Sequence, residues 1–161
     1  MDSHAWLHGE LIAFLRQHSR FADHRHLVLL AWMVSGLLLS QTVCFDHWKV
    51  ALPLGRCLAA SWQRRAQRWL SNGRIDVEAL YSPLVLWAIQ PWQKPGHCLH
   101  LALDTTVLWN RFCVVMVSVV CHGRAIPLLW RTLEHPSASV SAEVVIALLE
   151  RADRLLAEFG S

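Results

Sequence analysis

A carboxylate stands alone in an apolar run, Asp104 within Leu101-Ala102-Leu103-Asp104-Thr105-Thr106. Ionised carboxylates are costly to bury unless they are paired, protonated or bound to a metal. Asp104 is therefore either a functional acid or an aspartate at a strand end that bonds to nearby backbone or to Thr105. A second set is basic. Lys49, Arg56, Arg64, Arg65, Arg68 and Arg74 lie between His47 and Ile75 with no acid among them. Trp62 and Trp69 fall on the neighbouring helical face, and a cationic helix backed by aromatics suits phosphate-backbone binding. The plainer reading of the same residues is a solvated helix face.

Other chemistries find less support. The ten histidines include His24/His26 and His97/His100, but no cysteine or acidic partners stand at zinc-like spacing. No G-x-S-x-G elbow and no glycine-rich phosphate loop is present. The five cysteines (Cys44, Cys57, Cys98, Cys113, Cys121) are odd in number and contain no C-x-x-C. They read as reduced, buried residues of a cytoplasmic protein.

These residues need elements to hold them. The 161-residue chain is 54% hydrophobic and 17% charged, with nine tryptophans and a net charge of +3. That composition excludes a disordered tail. The first residues lack the basic and apolar regions of a signal peptide. Leu27 to Phe45 runs for 19 residues without Asp, Glu, Lys or Arg, so a membrane span has to be weighed. Ser35-Gly36 interrupts that run and Ser40-Gln41-Thr42 makes its second half amphipathic, which predicts two buried helices, about His24 to Ser35 and Leu37 to Val50.

Helical spacing also predicts a first helix through Trp6, Leu7, Leu11, Phe14 and Leu15. A fourth, Cys57 to Leu70, carries Leu58, Trp62, Ala66 and Trp69 on one side. A fifth starts near Asp76 and is bent or restarted at Pro83. After Pro95-Gly96 the period changes. Strands are expected over Leu99–Val107, Phe112–Cys121 and Ala125–Thr132, with a tight turn at His122-Gly123-Arg124. Their nearly unbroken hydrophobicity predicts strands covered on both faces. A final helix, Ser141 to Phe159, has an apolar stripe of Val144, Val145, Leu148, Leu149, Leu155, Leu156 and Phe159. The expected class is α+β, with helices over 1–94 and a β-β-β-α unit over 97–161.

In this order the motifs resemble those of insertion-sequence DDE transposases. Leu101-Ala102-Leu103-Asp104-Thr105-Thr106 with Arg111-Phe112 looks like the first catalytic strand. Val119-Val120-Cys121-His122-Gly123-Arg124-Ala125-Ile126-Pro127-Leu128-Leu129-Trp130-Arg131 looks like the next two. Arg64-Arg65-x-x-Arg68-Trp69-Leu70-Ser71-Asn72 followed by Asp76-Val77-Glu78-Ala79-Leu80-Tyr81 is similar to the family's DNA-binding region. The resemblance implies an incomplete ribonuclease H-like unit after an N-terminal helical bundle, with Asp104 as the first catalytic and metal-binding acid. It also implies Mg²⁺ as cofactor and double-stranded DNA, the terminal inverted repeats, as partner.

Such a fold places its second acid on a fourth strand and a glutamate later still, whereas this sequence stops at Ser161. Glu134, Glu143, Glu150, Asp153 and Glu158 are poor substitutes, being on a strand end or a solvated helix face. The expectation is a truncated transposase without catalysis, whose first strand becomes an apolar edge that self-associates or pairs with a full-length copy. A stand-alone DNA-binding or inhibitory module and a small helical membrane protein are the alternatives.

Overall fold

The computed structural model describes residues 3–19, 21, 23–51, 59–92 and 98–159. Along the chain these form α1 (Ser3–His18), α2 (His24–Ser40), α3 (Phe45–Ala51), α4 (Ala59–Leu70), α5 (Val77–Ile89) and a 3₁₀ turn at Gln90–Trp92. Strands β1 (His100–Leu108), β2 (Phe112–Cys121) and β3 (Arg124–Leu133) follow, then α6 (Ala142–Phe159). The protein is α+β, with the helices mainly N-terminal to a three-stranded antiparallel sheet. Packing divides it into Met1–Leu80 and Tyr81–Ser161, so α5 runs across the division. The linker expected at Pro95-Gly96 lies outside the described residues.

In the first unit, Leu29, Met33, Trp48, Trp62 and Ala66 form the core, with Leu30, Trp32, Phe45 and Trp69 against it. One expectation fails here: α2 does not stop at Ser35. The Ser35 hydroxyl is fully buried and donates to the Ala31 carbonyl at 2.8 Å, so the helix carries it without an unpaired polar group. Gly36 is a point of close approach. A Cβ there would stand 2.8 Å from Cδ2 of Trp48. The break comes instead at Gln41, in the left-handed region at φ 53°, whose N–H bonds to the Leu37 carbonyl. Thr42 then accepts from Trp48 Nε1 at 2.8 Å, tying α3 to that turn. No helix among the described residues is long and apolar enough to cross a membrane.

In α5, Asp76 caps the helix by accepting from Ala79 N–H at 3.0 Å. Pro83 neither ends nor restarts it; Val77–Ile89 is one helix.

In the second unit the sheet order is β1-β2-β3. Both hairpins turn through residues with positive φ, Trp109 and Asn110 in the first, His122 and Gly123 in the second. Two such residues in succession give the twist of a primed turn, which matches antiparallel strands. Cys113, Val115, Val117 and Val119 of β2 are buried on one face, in a core shared with Val85, Leu86 and Ile89 of α5 and Leu148 and Ala152 of α6. Between Val117 and Ser118 the β2–β3 register shifts, leaving Leu128 as the extra residue, fully buried. Tyr81 donates its hydroxyl to the Pro127 carbonyl at 2.6 Å and sets its ring edge-on to Trp130.

Two further expectations are corrected. Only β2 approaches cover on both sides; Leu101 and Leu103 of β1 remain 42% and 43% exposed. The reason is position. β1 is an edge strand, and the core helices pack over β2 and β3. On α6, Leu149 is exposed and Ala152 takes the buried place one turn after Leu148. Nor are all the cysteines inside: Cys44 and Cys98 are exposed, Cys121 is half-buried and Cys113 buried, while Cys57 lies outside the described residues.

Candidate nucleic-acid interface

The sequence AASWQRRAQRWL gives α4 two faces with nothing ambiguous between them. Trp62 and Ala66 are buried in the core, and Trp69 packs against it, half-buried, with its Nε1 donating to the His26 carbonyl of α2 at 3.1 Å. Positions 62, 66 and 69 follow the helical repeat, so the side opposite the core is fixed by the same anchors. Arg64, Arg65 and Arg68 are exposed on the outer and adjoining faces, within an arc of about 100° at 3.6 residues per turn. The helix contains no acid. The Arg65 guanidinium lies 5.5 Å from the Trp62 ring centroid, so an aromatic face helps to orient one of the three cations.

The remaining predicted cations are spread more widely. Arg74 is exposed in the turn after α4, where its N–H bonds to Asn72 Oδ1 at 3.1 Å. Lys49 belongs to α3, but its side chain lies outside what is described, and so does Arg56 altogether.

Sequence reasoning did not place the start of α2 beside α4. The Trp69–His26 bond brings the end of α4 to the first turn of α2, which holds His24, Arg25 and His26. Arg16 of α1 reaches the His24 ring at 3.2 Å. His26 and Arg74 line one cavity of about 330 Å³ together with Asp23 and Asp76. Asp23 there is committed elsewhere. It caps α2 and pairs with Arg25 at 2.8 Å, and the hydrogen bonds from Arg25 hold its carboxyl down at about 2. No spacing in the sequence signals this grouping, because it depends on a tertiary bond from Trp69.

Asp104 is in mid-strand rather than at a strand end, opposite Met116 of β2, whose own partner on β3 is Trp130. The carboxylate is exposed, and Oδ1 accepts from the Thr105 N–H at 2.8 Å. Exposure removes the desolvation cost that made it conspicuous in the sequence. Beside it the same sheet face holds an apolar hollow of about 360 Å³ lined by Tyr81, Val114, Met116, Pro127, Trp130 and Thr132. Of the other acids considered, Glu134 pairs with Arg111 at 2.8 Å. Among the described residues no three His, Cys, Asp or Glu side chains are grouped to hold a metal ion.

No protein-family model matches the sequence, and no curated protein or solved structure matches it either.

Proposed function

We propose that this chain binds double-stranded DNA through the exposed face of α4, in the manner its resemblance to insertion-sequence transposases implies. The observation that carries this reading is a rigidly anchored helix whose outer face holds Arg64, Arg65 and Arg68 and no acid. A helix fixed by two tryptophans loses little further backbone freedom when its arginines meet phosphates, and the counterions they displace drive binding. Arg74, Arg56 and Lys49 extend the same role along the chain, and the first turn of α2 adds to it. On this reading the β-β-β-α unit is the opening part of a ribonuclease H-like domain, with Asp104 at the place of the first acid. On the same reading the chain acts by occupying DNA ends rather than by cutting them.

Fluorescence anisotropy with a labelled duplex, at stepped salt concentrations, tests the reading. The unaltered chain is expected to bind with an affinity that falls as salt rises. Changing Arg64, Arg65 and Arg68 together to alanine should abolish binding, or flatten the log–log salt slope by about 0.9 per lost phosphate contact. Affinity and slope both unchanged would sink it. Recognition of element ends has its own check: inverted repeats flanking the reading frame, if present, should compete better than a scrambled duplex.

A further inference from the structure

The two edges of the sheet are built differently. β3 carries Pro127, which has no N–H to offer, a bulge at Leu128, and the exposed Arg124 and Arg131. Each of these discourages pairing with another strand. β1 has none of them. Its register with β2 is unbroken from His100↔Val120 to Leu108↔Phe112. Its far edge has no strand partner among the described residues. Leu101 and Leu103, which share the face of the buried β2 valines, stay 42% and 43% exposed.

We infer that β1 pairs antiparallel with β1 of a second copy, about a two-fold axis through Ala102. The charges of the strand select this occupant and this register. β1 contains one carboxylate, Asp104, and one imidazole, His100, four positions apart on the same sheet face, with Ala102 midway between them. With the axis at Ala102, His100 of each copy stands opposite Asp104 of the other, and both donor–acceptor pairs form at once. Leu101 then faces the second copy's Leu103 on the core side, and the reverse, closing the apolar strip. The small Ala102 side chains meet on the axis. An axis at Asp104, the centre of the strand, would instead set two carboxylates opposite each other, which destabilises a cross-strand pair. The product is a six-stranded sheet, a closed and self-complementary arrangement. The inference stands on β1 alone and is independent of DNA binding.

Sedimentation of the full chain over a concentration series tests it. The unaltered protein is expected to form dimers. His100→Asp places acid against acid at two points and should weaken dimerisation about tenfold or more. The exchange His100→Asp with Asp104→His should restore it. A second measurement fixes the register, in a background with Cys44, Cys57, Cys98 and Cys121 changed to Ser. There, Ala102→Cys should give an oxidised, covalent dimer, because directly opposed strand residues lie within disulfide reach. Asp104→Cys should not. A protein that stays monomeric up to its solubility limit overturns the inference. So does a dimer indifferent to His100→Asp, or one that cross-links through Asp104→Cys and not through Ala102→Cys.

Discussion

The two packing units solve the same problem with opposite materials. The helical unit is held by large rings: Trp48 and Trp62 in the core, Trp32 and Trp69 against it, with a glycine cut to the shape of one of them. The sheet unit is held by small branched side chains, Val115, Val117 and Val119, kept in line by strand register, plus one leucine out of register. Rings concentrate the stabilisation in a few contacts. Valines in a ladder spread it, so the two units should respond differently to the loss of one side chain.

The largest effect is expected from Trp48→Ala. Trp48 is 3% exposed, fits Gly36 and donates to Thr42. Its removal should cost about 3–5 kcal/mol. Urea unfolding would give the magnitude, and amide exchange should quicken across α2, α3 and α4 while β2 is spared. Equal acceleration in β2 would break the contrast.

Leu128→Ala comes next, at about 2–5 kcal/mol, with the lower half expected because a bulge can close partly around a cavity. Here exchange should quicken in β2 and β3 rather than in α2.

The smallest effect is electrostatic and again concerns a ring. His8 stacks on Trp32 at 3.7 Å, and burial pushes its imidazole below the ordinary value of 6.5, against a weaker opposing pull from the Val28 carbonyl. A folded-state value lowered in this way means that the unfolded chain binds the proton more readily. The associated stability is complete above 6.5 and is lost as pH falls from there through the folded value. Urea midpoints taken on either side of that pH should differ in the unaltered protein and converge in His8→Phe.

The sheet was more legible in the sequence than the helices. The valine-rich run Phe112–Cys121, closed by the turn at His122-Gly123, marks a strand by chemistry local to the segment, and β2 and its turn emerge where expected. Ser35-Gly36 misled because its meaning is tertiary: a glycine admitting Trp48 and a serine bonded back to Ala31 look, in sequence, like a helix break. The basic face of α4 was readable because one helical repeat fixes both what is buried and what is left out. The gathering of His26 and Arg74 around one hollow was not, since it hangs on the bond from Trp69 to α2. Asp104 was noticed for a burial that the sheet edge does not impose.

The bulge at Leu128 also acts as a parity device. The turn at His122-Gly123 pairs Cys121 with Arg124, and a regular ladder counted from there would put Trp130 beside Val115 and Leu129 beside Met116. The one extra residue exchanges those assignments, so that Leu129 joins the valine core and Trp130 meets Tyr81 across the other face. Which side of the sheet is aliphatic and which aromatic is thus decided by a single inserted position. Closing the bulge with every residue kept would turn the second half of β3 inside out, whereas deleting Leu128 would leave Leu129 opposite Val117 and Trp130 opposite Met116 as they are.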